Sequence, residues 1–450
     1  MIFTLVAPLE IEDAENNTNP FNPLLPSVSL ASVCRGWHDV AYDSPQLWSV
    51  FDINFSSLSP GAIHVIDSCL TRSKNSPLSV HLHGELSVNR VIWQDVLTSL
   101  IRQSSRWKYF FFEVERSMST SIKEYSASRN VLQKLMAGIE DLPALDSLRF
   151  ESTFIDGISP LLARMSCRSP HLRSLTLHGE LLPLDDELLE QSAGLSSLES
   201  LSVSGIPLHT FVDFLRGDAF RDLKSLVLQG LEIYEEDSDI IPDRQSLVTF
   251  QHLSSLSIYQ TDGADMGVTL EFLAQMLQAP SLQTLDIKTG LIFGPVIIEP
   301  LHTFLTSTKC TTSLTTLHLE GVRDVALLLP LFPNLRTLSV SETHYSGRTL
   351  GDIIGALRLG GGRDGGHDLV PKLQHLELKA MRPDLSLFSS LAEMAKSRWN
   401  SGSTVDGAAC LSKLSLEVSE GLIDRDTEGY RALEELKAAG LDVEYNLRKR

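Results

Sequence analysis

His81 and His83 are the first residues of this sequence whose type and spacing could do chemistry. Two positions apart on an extended segment, their imidazoles share one face, as metal ligands on a strand sometimes do. No acidic residue or cysteine stands at ligand spacing beside them, so they read as two polar strand residues. Asp185, Asp186, Glu187 and Glu190 gather four carboxylates in six positions. That grouping suits the positive end of a helix dipole and reads as a solvated first turn. GGGRDGG (360–366) is glycine-rich but lacks the Lys-Ser/Thr that completes a phosphate cradle, so it reads as a loop. No nucleophile elbow occurs, and none of the thirteen histidines pairs with a candidate nucleophile. The expectation is a non-catalytic chain with no cofactor and no metal.

The five cysteines, Cys34, Cys69, Cys167, Cys310 and Cys410, are scattered without short spacings. They fit buried thiols in a reducing compartment better than a disulfide framework or a zinc site. A net charge of −19 leaves no basic stripe for nucleic acid, the one basic cluster being Arg448, Lys449 and Arg450. The longest apolar run, Val325 to Phe332, is too short to span a bilayer and contains Pro330. The opening MIFTLVAPL has no basic flank and runs into Glu10, Glu12, Asp13 and Glu15, which makes a poor secretory signal. A cytoplasmic or nuclear protein with neither nucleic-acid nor membrane partners is expected.

What must position any functional side chain is a repeat. A six-residue phrase, leucine, two variable residues, leucine, one variable residue and an aliphatic or aromatic, recurs ten times. It begins at Leu145, Leu172, Leu198, Leu223, Leu253, Leu282, Leu314, Leu335, Leu373 and Leu411, with steps of 21 to 38 residues. A fixed phrase at a loose period near thirty marks leucine-rich repeats, each a strand plus a helix, stacked so that the strands run parallel. Alternate strand residues share a face, so the second leucine and the apolar residue two later point inward. Pro143, Pro170, Pro280, Pro333 and Pro371 stand two before a first leucine and stop the incoming helix. Gly179, Gly205, Gly230 and Gly321 follow strands, where a turn is needed. Helical spacing appears in 91–103, 269–278, 298–306, 387–397 and 428–440.

Two earlier segments, 80–84 and 107–112, fit the frame imperfectly, so the array is expected to begin near residue 78. The acidic stretch 232–245 and the polar, glycine-rich 359–368 and 399–408 read as surface excursions, and 10–23 as a linker. The fold class predicted is an α/β leucine-rich-repeat horseshoe, strands on the concave face and helices on the convex one, behind a small N-terminal helical cap. The expected domains are 1–55, a partial helical cap; 56–140, a connecting region with irregular first repeats; and 141–450, the repeat domain.

Residues flanking the second leucine of each phrase face the concave surface. Early repeats offer small groups there: Ser174, Thr176, Ser200, Ser202, Ser255 and Ser257. Later ones change to Asp286 and Lys288, His318 and Glu320, His375, Glu377 and Lys379, then Lys413 and Glu417, with Tyr259 at the transition. A tyrosine beside charges of both signs suits selective protein binding. Tyr259, Asp286, Lys288, His318, Glu320, His375, Glu377 and Lys379 are the candidate partner-binding residues. A solvated sheet face is the competing account of the same pattern.

Ahead of the repeats, residues 28–51 place Val33, Trp37 and Val40 on one helical face, and Ser44-Pro45 can start a short element bearing Leu47 and Trp48. Val33, Cys34, Trp37, Leu47 and Trp48 resemble the second half of an F-box, which ends in Val-Cys-x-x-Trp followed by Leu-Trp. CLTRSKNSPLSVHL (69–82) is similar to the segment joining F-box to repeats in the large fungal, mushroom-type family of F-box proteins with leucine-rich repeats. The family opens its box with Leu-Pro and an amphipathic helix. Only MIFTLV (1–6) stands in that place, so the box is expected to be truncated at its N-terminus. The resemblance implies the substrate-recognition subunit of an SCF-type ubiquitin ligase. A Skp-type adaptor and its cullin complex would bind Val33, Cys34, Trp37, Leu47 and Trp48, and the repeats would hold an unidentified protein substrate. The alternative is a repeat scaffold with no ligase association, and for the five residues, core aromatics of an unrelated cap.

Overall fold

The computed structural model describes residues 25–59, 61–84, 90–114, 133–135, 137–152, 164–165, 167–179, 195–206, 211, 215, 220–231, 247–260, 266–290, 298–342, 349–359, 369–380, 385–399, 410–419 and 427–448. The carboxylate cluster at 185–190, the loop 360–366, the acidic stretch 232–245 and the segments 1–6 and 10–23 lie outside them. The chain divides into two compact units, Met1–Asp222 and Leu223–Arg450.

The first unit opens with helix α1 (Leu25–Val33) and helix α2 (Arg35–Tyr42), then a 3-10 turn, Pro45–Trp48, all ahead of strand β1 (Val50–Asn54). Helix α3 (Ala62–Arg72) leads to β2 (Leu78–His83), and α4 (Arg90–Ile101) to β3 (Trp107–Val114). Strands β4 (Ser147–Ser152), β5 (Ser174–His178) and β6 (Ser200–Ser204) follow. All six are parallel and adjacent in chain order. Parallel neighbours need a crossover, which α3 supplies between β1 and β2 and α4 between β2 and β3. The inward side chains stay in register: Phe51 beside Val80, Phe110 beside Leu148, Leu148 beside Leu175, Leu175 beside Leu201. Here the core is aromatic. Phe55 meets Trp93 and Phe112 edge-on, and Phe150 meets Phe110 and Phe112 the same way.

The second unit carries β7 (Ser225–Gln229), β9 (Ser255–Gln260), β11 (Thr284–Thr289), β12 (Thr316–Glu320), β13 (Thr337–Ser341), β14 (His375–Ala380), β15 (Lys413–Ser419) and β16 (Asp442–Arg448), again parallel neighbours. A separate two-residue pair, β8 (Val248–Thr249) with β10 (Leu277–Gln278), lies apart from that sheet. Helices α5 (Met266–Met276), α6 (Ile298–Ser307), α7 (Thr349–Leu357), α8 (Leu385–Trp399) and α9 (Glu428–Ala438) provide the described crossovers. Leu226, Leu256, Leu285, Leu317, Leu338, Leu376 and Leu414 form one buried in-register row. The apolar run at 325–332 is two 3-10 turns, Val325–Leu327 and Leu329–Leu331.

The first leucine of each phrase is also buried. After Leu145, Leu172 and Leu198, and from Leu253 onward, the next residue's N–H donates back to the backbone at the entry to the preceding strand. In the second unit the Gln283 N–H reaches Ser254 O, the Thr315 N–H reaches Gln283 O, and the Arg336 N–H reaches Thr315 O, each at 2.8 or 2.9 Å. The bend into each strand is thereby stitched to its predecessor. All ten phrases are strands, and the five helical segments read from spacing are helices. Gly179, Gly205, Gly230 and Gly321 do take positive φ where the strands turn away.

Three expectations are corrected. The parallel sheet begins at Val50, not near residue 78, so residues 1–55 hold a strand as well as helices. Cys34 is extended (φ −162°, ψ 170°), so Val33 ends one helix while Trp37 and Val40 belong to the next; the three do not share a single helical face. The cysteines are all free, but only Cys69 and Cys310 are buried; Cys34, Cys167 and Cys410 are exposed.

Candidate functional site

The helical pair α1–α2 is anchored by Trp48. Its indole N–H donates to Ala41 O at 2.7 Å, and the Arg72 guanidinium of α3 stacks 4.6 Å from its ring and 4.3 Å from that of Tyr42. Trp48 is buried, Trp37 and Leu47 are half-buried, Cys34 is exposed, and Val33 is 62% exposed. The Leu47 carbonyl accepts from the Ser27 hydroxyl, tying α1 to the 3-10 turn. Trp48→Ala is expected to cost about 3–5 kcal/mol locally, since it removes both a large buried ring and a hydrogen bond. Hydrogen exchange of residues 25–48, rising in the variant while β3 stays protected, checks this.

Exposed large apolar side chains concentrate here. Val33, Val40 and Tyr42 lie on α1–α2 and Val65 on α3, half of all those among the described residues. An apolar cluster on a short helical pair is the kind of surface a partner covers.

On the second unit the eight expected partner-binding residues lie on neighbouring strands. Strand pairing puts them in rows: Asp286 beside His318; Tyr259 beside Lys288, then Glu320; Ser341 beside Lys379; and His375 at the level of Thr337. Five of them, with Glu417, fall into two groups, while His318, Glu320 and His375 stand outside them. Tyr259 donates its hydroxyl to Asp286 Oδ2 at 2.9 Å, Lys288 Nζ sits 3.2 Å from the same oxygen, and that ammonium lies 4.7 Å from the Tyr259 ring centre. Burial pushes the Tyr259 hydroxyl up in pKa, reinforced by Asp286. Burial works against the Lys288 charge, but Asp286 outweighs it and raises its pKa. Asp286 Oδ1 is buried and has no hydrogen-bond partner, an acceptor already held in place. Further along, Lys379 bridges Glu377 at 3.5 Å and Glu417 at 3.6 Å. His318 and Glu320 are half-buried between these groups, and His375 is exposed.

The corresponding face of the first unit holds a cluster not anticipated from sequence. Asp52 of β1 is paired in register with His81 of β2. Asp52 Oδ1 lies 2.9 Å from His81 Nδ1 and 3.1 Å from His83 Nε2. The His81 ring stacks on His83 at 4.7 Å and, nearly parallel, on Phe111 of β3 at 4.1 Å. Arg149 covers the same Phe111 ring and grips Glu151, which also holds His178 at 3.0 Å. Burial disfavours the Asp52 carboxylate, yet its two imidazole contacts outweigh this and hold its pKa well below the usual range. Burial likewise opposes charge on His81, and Asp52 with Glu113 more than restores it. The acidic partner that seemed missing from His81 and His83 is Asp52. Its signal was the alternation in VFDIN, where Phe51 and Ile53 turn inward and Asp52 must turn outward.

No protein-family model matches the chain, and no curated protein matches it. No helix among the described residues is long and apolar enough to cross a membrane.

Proposed function

We propose that this chain is the substrate-recognition subunit of an SCF-type ubiquitin ligase, holding a target protein against the outer face of its strands. The observation carrying the binding half is the group Tyr259, Asp286 and Lys288, in which one carboxylate oxygen holds an aromatic hydroxyl and an ammonium in place on the strands' outer face. An aromatic anchor beside a fixed acceptor and a fixed cation is strong recognition chemistry, and strand neighbours hold it rigid before anything binds. Around it lie charges of both signs, which select a complementary partner and repel wrong ones. In this reading the strands line the concave face of a leucine-rich-repeat horseshoe. No catalytic residue is required of the chain, because ubiquitin transfer belongs to other subunits.

The ligase half rests on Val33, Cys34, Trp37, Leu47 and Trp48, which match the second half of an F-box, and on the exposed apolar side chains beside them. Adaptor docking would use the outer surface of α1–α2, with Trp48 setting its angle. Titration of the chain with a Skp-type adaptor tests this. Binding is expected to be weak for the unaltered chain and stronger once a first F-box helix is supplied, and Val33→Asp with Val40→Asp should abolish it in both without unfolding, since both are already exposed. Absence of binding both by the unaltered chain and by one extended with an F-box first helix rejects the ligase reading and leaves a scaffold that binds protein but never meets the ligase.

The substrate face has its own check. Cross-linking or hydrogen exchange of a captured partner should protect 286–288, 318–320 and 375–379. Asp286→Asn with Lys288→Gln should weaken capture by about tenfold or more, the scale of a hot-spot loss. Protection confined to the helices would reject the face.

A further inference from the structure

We propose that Asp52, His81 and His83 form a binding site for a divalent first-row transition metal, zinc being the simplest occupant. The proposal is independent of the ligase reading. Two imidazoles and one carboxylate are a donor set that such ions take readily, whereas calcium and magnesium want oxygen alone. The three donor atoms all lie within 4.8 Å of one another.

Geometry favours an ion over a simple charge cluster. In a tetrahedral site with bonds of about 2.0–2.1 Å, neighbouring donor atoms stand roughly 3.3 Å apart. The two separations from Asp52 Oδ1, 2.9 and 3.1 Å, fall just inside that value. They are short enough for hydrogen bonds, but Asp52 Oδ1 has no aligned donor. The contacts are close without being satisfied. A cation between the three groups would satisfy all of them after small side-chain rotations.

The surroundings supply what ligands need. His81 presents Nδ1 to Asp52, while its buried, unpaired Nε2 lies 3.8 Å from Glu113 Oε2. A ligating histidine characteristically turns its other ring N–H to a carboxylate, which fixes the tautomer and strengthens the donor. Glu113, at 3.8 Å, would have to close in by a side-chain rotation to do this for His81. Phe111 fixes the plane of the same ring by stacking. The strand backbone is fixed too. Just past His83, Gly84 has φ +102°, and a Cβ there would meet Asn54 Oδ1 at 2.7 Å and Ser56 Oγ at 2.9 Å. The exit of β2 is therefore packed tightly against the end of β1. The side chains grade from 11% exposed at His81 through 23% at His83 to 45% at Asp52, which leaves an entry path from solvent. Three protein ligands leave coordination open to water or to a donor from a bound molecule.

The test uses the full chain, stripped with a chelator and titrated at neutral pH with zinc by calorimetry and with cobalt by visible absorption. One equivalent is expected, with a cobalt spectrum free of thiolate charge transfer. His81→Gln with His83→Gln should reduce binding below detection, and Asp52→Asn should weaken it strongly. Glu113→Gln should weaken it by about ten- to hundredfold. His252→Gln with His302→Gln, two exposed histidines on the other unit, should leave zinc binding unchanged. In the unaltered chain, zinc should shield His81 and His83 from an acylating reagent, read by mass spectrometry, so the answer does not depend on a variant folding. The proposal is overturned by no stoichiometric binding, by binding that survives loss of both histidines, by a thiolate spectrum from the exposed cysteines, or by unchanged labelling of His81 and His83.

Discussion

Leu338→Asp is expected to unfold the repeats around β13 while leaving the first unit intact. Leu338 is fully buried, in register with Leu317 on one side and Leu376 on the other. A carboxylate there has no donor to meet it. It must either stay ionised in an apolar layer or take up a proton, and both routes cost several kcal/mol. Folded domains have about 5–15 kcal/mol in hand, so one such substitution consumes much of the margin. In a repeat array each strand is supported by its neighbours, which keeps the damage local at first. Hydrogen exchange should therefore rise across β12 to β14 and leave β1 to β5 protected. Thr337→Asp, one residue earlier and half-exposed, should stay within about 0.5 kcal/mol of the unaltered chain. Equal effects of the two substitutions would reject the assignment of inward and outward faces.

How much of this could be read from the sequence depended on where a strand's neighbours lie. The phrases were most legible where a strand packs leucine against leucine on both sides, as β5, β9 and β11 to β14 do, which forces the same residue type at the same position. β2 packs instead against Phe110 and Phe112 of β3, and these two strands fit the frame imperfectly. The strands at either end escape that rule. Among the described residues β1 has only β2 beside it, and its inward residues are Phe51 and Ile53; β16 has only β15, and buries Val443. Neither contains the leucine phrase, so neither stood out. The cost was specific: without β1, Asp52 had no place beside His81 and His83. The break at Cys34 was hidden for another reason. Val33, Trp37 and Val40 have helical spacing, and no proline interrupts them, so periodicity alone joins two helices that the backbone separates. On the second unit the outward residues were correctly placed on strands, but not their grouping. Tyr259 and Asp286 are 27 residues apart, and only strand register brings their side chains together.

Arg398→Met is expected to loosen the link between α7 and β14 by about 3–5 kcal/mol, although the residue sits where a solvated charge would be expected. Lys396 and Arg398 share the last turn of α8, and lysine or arginine there ordinarily faces water. Lys396 does face water, but Arg398 is completely buried. Its Nε donates to Leu357 O at 2.5 Å, Nη1 to Val370 O at 3.1 Å and Nη2 to Leu369 O at 2.7 Å. Leu357 ends α7, where backbone carbonyls have lost their helical partners and where the helix dipole favours a cation. Val370 has φ +52°, a left-handed backbone that a β-branched residue resists, so its carbonyl is held in place against local preference. One planar fork thus caps a helix and fixes the turn into the next strand. Methionine fills similar space but strands two buried acceptors and one partly buried one, each buried one costing about 1–3 kcal/mol before relaxation. Arg398→Lys should fare little better, because a single ammonium cannot reproduce the spread of a guanidinium. Lys396→Ala should be nearly silent. Hydrogen exchange at 350–357 and 375–380 distinguishes these outcomes. Full rescue by lysine would show that charge alone, and not the fork, holds the junction.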